Sequence, residues 1–146
     1  MAKNKALVKA FNEALELEQA AVIQYLSHAQ MICGRDSEPM IARVREIAGD
    51  ELKHAETCRE IIGSYLGGVP SMGVAETHPE KELSKILEIN LAGEKHAVEV
   101  YTGILSLLDS KKEELKYEYH KLEHSVRHII LDEEEHIFQL RLLLGL

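Results

Sequence analysis

The chain has 146 residues, 45% of them hydrophobic and 29% charged, a composition that excludes a disordered or collagen-like chain. We expect a single domain over residues 1–146. The formal net charge of -8 argues against a nucleic-acid partner held through its phosphates. We expect no membrane partner because no apolar run approaches the roughly 20 residues of a membrane span. The two cysteines and the absence of a secretory leader pattern predict a cytoplasmic protein.

Apolar residues recur at helical spacing in four long segments, which predicts an all-α protein. We expect these helices at residues 3–32, 38–66, 79–108 and 112–144. Gly34 follows the first, Ser37 caps the second, Pro79 opens the third and Gly145 ends the fourth.

The lengths of the connections predict how the helices are arranged. The first and third connections are short, so the helices that they join should be antiparallel neighbours. The middle connection, at residues 67–78, can extend roughly 40 Å at about 3.3 Å per residue. That reach is close to the length of a helix of roughly 30 residues, about 45 Å. We therefore expect a four-helix bundle with one long crossover between helices two and three, which would be parallel.

Each predicted helix places a carboxylate among its core-facing apolar positions, and two of the helices add a histidine three residues later. These residues are Glu18, Glu51, His54, Glu94, Glu133 and His136. Burying an unpaired carboxylate costs on the order of several kcal/mol, and two divalent cations would compensate four of them. Oxygen and imidazole ligands without thiolates favour iron or manganese, with zinc as another occupant. The alternative is a metal-free bundle with buried Glu–His pairs.

The two halves of the chain repeat this pattern. Residues 18–25 and 94–101 share the motif E-x-x-A-V-x-x-Y, and residues 50–54 and 132–136 share D-E-x-x-H. A duplicated hairpin would relate two metal-binding faces by a pseudo-twofold axis. We expect Asp50 and Asp132 to accept a hydrogen bond from a ligand histidine. Three roles are open for Tyr25 and Tyr101: they donate hydrogen bonds to ligand carboxylates, they supply an electron, or they are core tyrosines.

In these motifs the chain resembles the bacterioferritin branch of the ferritin-like di-iron carboxylate superfamily, over nearly its whole length. The resemblance implies two iron ions per chain. In this family pattern Glu18 and Glu94 would be terminal ligands, Glu51 and Glu133 bridging carboxylates, and His54 and His136 imidazole ligands. The resemblance further implies a ferroxidase that oxidises Fe(II) with dioxygen or hydrogen peroxide. Because bundle helices of this length usually leave one apolar flank to bury, we also expect a homo-oligomer of at least two chains. The alternatives are an iron-storage cage subunit, in which oxidation feeds mineral deposition, and a rubrerythrin-like peroxidase.

The sequence differs from related families at three points, which bear on haem binding, on the family assignment and on the size of the assembly. Bacterioferritins have a haem-ligating Met where this chain has Leu52, so we do not expect haem. Rubrerythrins have a further helix-three Glu where this chain has Ala97, and they usually add a module with paired C-x-x-C motifs. The sequence ends at Leu146 without the short fifth helix of bacterioferritins, which weighs against a 24-subunit shell. The assembly size stays open between a dimer, a 12-mer and a 24-mer.

Some features fall outside these motifs. His120, His124 and His128 recur every four residues, and His124 is about 180° around the helix from Glu133. A solvated polar face is therefore favoured over a surface metal site. Glu134 and Glu135 should likewise point away from the core. We expect Cys33 and Cys58 to be packing thiols, the alternative being a redox role.

Overall fold

A computed structural model describes residues 4–146, and this part of the chain is helical with no β-strand. The helices are α1 (Lys5–Ala29), α2 (Ser37–Glu60), α3 (Leu83–Ser110), α4 (Lys112–Leu115) and α5 (Tyr117–Leu144). A π-helical segment, Ile61–Tyr65, continues α2. The four long helices form the predicted four-helix bundle. None of the helices within the described residues is long and apolar enough to cross a membrane.

The apolar core is divided into two clusters by a band of buried polar side chains. One cluster contains Phe11 of α1 and Leu122 of α5, and the other contains Tyr25 of α1 and Leu140 of α5. Along each long helix the predicted polar positions fall between the residues of the two clusters. Apolar packing on both sides therefore holds the polar band at mid-height in the bundle.

The middle connection, which we call the crossover segment (residues 66–82), runs along the outside of α1. Near its start, the Asn12 side chain donates to the Val69 carbonyl (3.1 Å) and accepts from the Ser71 amide (2.7 Å). Near its end, the His78 amide donates to Gln24 Oε1 (2.8 Å). The segment thus advances in the direction of α1 and delivers α3 to the end of the bundle where α2 begins. Helices α2 and α3 are therefore parallel, and the predicted long crossover is confirmed.

Several predicted helix ends are wrong. Helix α3 begins at Leu83 and not at Pro79, because the Glu80 carboxylate accepts the backbone amides of Lys81 (2.8 Å) and Glu82 (3.3 Å). Ser37 is the first residue of α2 and does not cap it. Helix α1 ends at Ala29 rather than at residue 32. The predicted start of the first helix, at residue 3, lies outside the described residues.

The predicted fourth helix is interrupted at Lys116, which has φ 55° and ψ -120°. This residue separates the single turn of α4 from the long helix α5. Gly145, at φ 78°, ends α5 as predicted. Gly34 has φ 112°, but it lies in the α1–α2 connection, beyond the last residue of α1.

Candidate metal centre

The structure brings together all six of the polar residues that the sequence placed on core-facing helix positions. We call them the six-residue cluster, and each is at most 3% exposed. Its members are Glu18 from α1, Glu51 and His54 from α2, Glu94 from α3, and Glu133 and His136 from α5.

The first half of the cluster surrounds His54. Its Nδ1 atom lies 3.0 Å from Glu18 Oε2, 3.0 Å from Glu133 Oε1 and 3.3 Å from Glu51 Oε1. One ligand atom from each of these four residues falls within 4.8 Å of all the others. A cation between them would have three carboxylate oxygens and one imidazole nitrogen as ligands.

The second half is built in the same way around His136. Its Nδ1 atom lies 3.3 Å from Glu51 Oε1, 3.4 Å from Glu94 Oε2 and 3.5 Å from Glu133 Oε1. These four residues also offer ligand atoms within 4.8 Å of one another. Glu51 and Glu133 belong to both sets, so the two sets adjoin and share two carboxylates.

The polar atoms of the cluster lack hydrogen-bond partners. Within residues 4–146, seven buried side-chain nitrogen or oxygen atoms make no hydrogen bond, and all seven belong to the cluster. They include both carboxylate oxygens of Glu133 and the Nδ1 atoms of His54 and His136. Leaving such groups unpaired is costly, so this arrangement fits the binding of cations between them.

Burial also changes the protonation of the cluster. It raises the pKa of the Glu94 carboxyl to about 7, and together with the charge of Glu51 it raises the pKa of Glu18 well above its usual range. Burial lowers the pKa of His54, but the adjacent carboxylates of Glu133, Glu18 and Glu51 outweigh it and raise that pKa far above its ordinary value. Burial also lowers the pKa of His136, but the carboxylates of Glu133, Glu51 and Glu94 outweigh it and raise that pKa above its ordinary value. In the absence of metal, protons therefore provide the charge compensation that cations would otherwise supply.

Two aspartates orient the imidazoles from the outer side, as predicted. His54 Nε2 donates to Asp132 Oδ2, and His136 Nε2 donates to Asp50 Oδ2, both at 2.9 Å. Because a carboxylate only accepts, each Nε2 holds a ring proton, and Nδ1 faces the cluster, where it would offer its lone pair to a cation once its own proton is displaced.

The two tyrosines of the repeated motif are not equivalent. Tyr25 OH donates to Glu94 Oε1 at 2.6 Å, whereas Tyr101 OH lies 3.5 Å from Cys58 Sγ. The hydrogen-bonding role therefore applies to Tyr25 on Glu94, and Tyr101 is a core tyrosine beside a buried thiol. Burial raises the pKa of Cys58 to about 12.

The structure also shows the exposure of the other histidines, glutamates and cysteines discussed in the sequence. The side chains of His120, His124 and His128 are exposed, as are those of Glu134 and Glu135. Cys58 is a packing thiol, but Cys33 is exposed, so the packing prediction is wrong for Cys33. A polar network of buried His28 and Asn90 with half-buried Gln24 lies beside the cluster and was not predicted. Polar residues on a core-facing helix position, the signal that revealed the cluster, would have indicated His28 and Asn90 as well.

Comparisons with known proteins agree with this geometry. The structure superposes on the Mycobacterium tuberculosis bacterioferritin BfrA with a TM-score of 0.85 and 25% identity, over 99% of this chain and 87% of that one. A ferritin-like, di-iron carboxylate protein from Bacillus anthracis gives a TM-score of 0.85 at 24% identity, over 96% of both chains.

Rhodobacter capsulatus bacterioferritin, described with a metal-free dinuclear site and haem iron, gives a TM-score of 0.80 at 24% identity, over 99% of this chain and 87% of that one. A comparison with curated proteins finds no match. A family model for the ferritin-like domain matches residues 8–146. The chain therefore belongs to the ferritin-like domain family and is related to the bacterioferritins.

Proposed function

We propose that the chain is a non-haem di-iron ferroxidase, which binds two Fe(II) ions in the six-residue cluster and oxidises them with dioxygen or hydrogen peroxide. The observation that supports this most directly is the pair of adjoining four-residue sets that share Glu51 and Glu133. Four carboxylates against two divalent cations balance in charge, so two such ions could replace the protons that compensate the cluster in the absence of metal. Manganese and zinc are alternative occupants of the same ligands.

In this proposal Glu18 and His54 would hold one ion and Glu94 and His136 the other, and Glu51 and Glu133 would serve both ions. Tyr25 fixes Glu94 by bonding to Oε1, which leaves Oε2 facing the cluster. Metal binding would displace the protons that burial favours on the carboxylates, so ion uptake releases protons.

The overall reaction balances with two irons per turnover. Two Fe(II) ions give two electrons to one hydrogen peroxide, which takes up two protons and leaves as two waters. With dioxygen, the same two electrons and two protons yield one hydrogen peroxide. The paired arrangement of the ligand sets suits such a two-electron reduction, since each oxidant molecule needs one electron from each ion.

Three further proposals concern haem, the assembly and the domain organisation. Leu52 has no sulfur atom, so we propose that haem is not bound through this position. The apolar side chains of Ile23, Leu26 and Leu52 are about half exposed, at 49%, 47% and 52%, which supports a homo-oligomer of at least two chains. We also infer a single functional domain, because each ligand set takes residues from both halves of the chain.

An iron-storage subunit is the second candidate function, favoured by the alignment of 99% of this chain with a bacterioferritin. It would use the same oxidation chemistry but requires a closed shell to contain mineral. Sedimentation analysis distinguishes the two, because a dimer cannot enclose mineral and a 24-subunit assembly can. A rubrerythrin-like peroxidase is the third candidate, and Ala97 lacks the carboxylate found in rubrerythrins at this position.

The decisive experiment is an anaerobic Fe(II) titration of the metal-free protein, followed by rapid mixing with dioxygen or with hydrogen peroxide. Glu51→Ala and His136→Ala are the test variants, and Glu134→Ala, at an exposed position on α5, is the matched control. The proposal expects a break at two irons per chain and rapid oxidation in the wild type and control, with both lost in the test variants. Absence of saturable binding, or equal behaviour of all four proteins, would refute it.

A further inference from the structure

A cleft of about 410 Å³ lies between α1 and α3, next to the six-residue cluster. Its floor includes Glu18, Glu94 and Tyr25, and the crossover segment contributes Glu76 and His78 to its lining. Much of the remaining wall is apolar and built from small side chains, which leave the space between the two helices unfilled. Its apolar residues are Leu17, Ala20, Ala21, Ile89, Ala92 and Ala97, and Glu51 and His96 also border the cleft.

The amide side chains that line the cleft are already bonded within the protein. Gln24 donates through Nε2 to Asn90 Oδ1 (2.9 Å) and accepts the His78 amide through Oε1 (2.8 Å). Asn90 Nδ2 contacts His28 Nδ1 (2.9 Å) and the Ile86 carbonyl (2.8 Å). Both polar atoms of each amide therefore have partners, and the wall presents mainly apolar surface to an occupant.

The floor is different from the walls. Glu18 Oε2 and Glu94 Oε2 are buried and have no hydrogen-bond partner, and both residues border the cleft. The cleft therefore has apolar side walls and a floor formed by the α1 and α3 members of the six-residue cluster. A water molecule occupies about 30 Å³ of liquid volume, so an oxidant of similar size would leave most of this space unused. Pockets for small organic ligands have volumes of about 300–1,000 Å³ and are lined mostly by apolar side chains.

We propose that this cleft binds a small, largely apolar organic molecule without negative charge, with one end against Glu18 and Glu94. An anion would be repelled by the four carboxylates that line the cleft, those of Glu18, Glu51, Glu76 and Glu94, whereas a neutral or cationic end group can contact them. This binding goes beyond Fe(II) oxidation, since neither Fe(II) nor its oxidants need a space of this size and character. It places an organic ligand within reach of the metal centre.

Gly93 on α3 offers a way to fill the cleft without breaking the fold. It lines the cleft, and a Cβ atom at this position would have no neighbouring atom within 4 Å. Gly93→Leu therefore adds a side chain in open space, and the loss of a helix-interior glycine favours the helix. Gly103, on the same helix, has equally open surroundings and does not line the cleft, so Gly103→Leu is the matched control. Ala97→Val fills the cleft from a second position.

Indole is a suitable probe because the chain contains no tryptophan. Its fluorescence can be excited at wavelengths where tyrosine does not absorb, and its emission shifts to the blue in an apolar environment. Indole would be titrated with each purified protein, and circular dichroism would check that each variant is folded. Anaerobic Fe(II) titration of the same proteins would report on the metal centre separately.

We expect saturable, blue-shifted indole binding by the wild type and by Gly103→Leu. Binding should weaken by about tenfold or more in Gly93→Leu and in Ala97→Val, because the added side chains occupy the ligand's space. Absence of saturable binding to the wild type would overturn the proposal, as would undiminished binding by both cleft variants. If Gly93→Leu does not fold, Gly93→Ala and Ala97→Val decide the result. Iron binding that persists without indole binding would refute the cleft proposal alone.

Discussion

His54 on α2 is joined to Asp132 on α5 by a hydrogen bond of 2.9 Å between Nε2 and Oδ2. The second pair, His136 on α5 and Asp50 on α2, repeats this bond at 2.9 Å with the two helices exchanged. Each imidazole is thus oriented by a carboxylate from the other half of the chain. Both aspartate side chains are partly exposed, at 37% and 44%, so they can be substituted without leaving a large cavity.

Replacing Asp132 by alanine should weaken metal binding without unfolding the bundle. Loss of the carboxylate frees the His54 ring to rotate and lowers the basicity of Nδ1, effects that typically cost about 10–100-fold in metal affinity. Competitive Fe(II) or Zn(II) titration measures this change. Glu134→Ala, at an exposed position nearby on α5, should bind as the wild type does, and an equal affinity in Asp132→Ala would contradict the assigned role.

The two tyrosines of the repeated motif should respond differently to removal of the hydroxyl. Tyr25→Phe leaves buried Glu94 Oε1 without its donor and should lower the free energy of unfolding of the metal-free protein by about 1–3 kcal/mol. Tyr101→Phe removes only a 3.5 Å contact with a thiol and should cost less. Urea unfolding of the two variants tests the difference, and equal losses would show that the Tyr25–Glu94 bond contributes nothing specific.

The metal-free protein should lose stability as the pH rises. Burial raises the pKa of Glu94 from 4.5 in an exposed carboxyl to about 7, so the folded state binds more protons than the unfolded state between these values. The contribution of Glu94 to stability is therefore fully present below pH 4.5 and is lost as the pH rises through 7. Thermal unfolding in the presence of a chelator, at a series of pH values, measures this loss. Glu94→Gln should show a smaller dependence, and an identical profile would exclude Glu94 as a source.

Glycine should be preferred over lysine at position 116. Lys116 has φ 55° and ψ -120°, a region that side chains with a Cβ atom avoid and glycine accepts. Lys116→Gly should therefore stabilise the protein by about 1 kcal/mol, as judged by urea unfolding. The same substitution at Lys121, inside α5, should destabilise it by about 1 kcal/mol. Destabilisation by both would mean that Lys116 makes contacts that outweigh its backbone strain.

The six-residue cluster could be predicted because its signal is local. Glutamate and histidine at core-facing helix positions are costly to bury unless they bind a partner. Residues three apart lie on one face of a helix in any fold. The crossover was predictable for a similar reason, since the reach of residues 67–78 is set by chain length. Tertiary packing then determines which of these groups meet.

The remaining differences arise from contacts that no local pattern contains. Pro79 is a good first helical residue, but the amides of Lys81 and Glu82 donate hydrogen bonds to the Glu80 carboxylate, and α3 begins only at Leu83. The repeat predicted equivalent tyrosines, yet Tyr101 faces Cys58 while Tyr25 reaches Glu94. The cleft depends on the separation of α1 and α3, which periodicity alone does not fix.

The way the ligand sets are divided between the halves of the chain has a consequence for how those halves stay together. In the proposed centre, one ion takes Glu18, Glu51 and His54 from the first hairpin and only Glu133 from the second, and the other ion takes the reverse proportion. Each ion would therefore act as a cross-link between hairpins, in parallel with the peptide that joins them. If the chain were cleaved at Met72, which is 93% exposed, the two fragments would stay associated more tightly with metal bound than without it. The continuous backbone and the two ions would each hold the same two hairpins together.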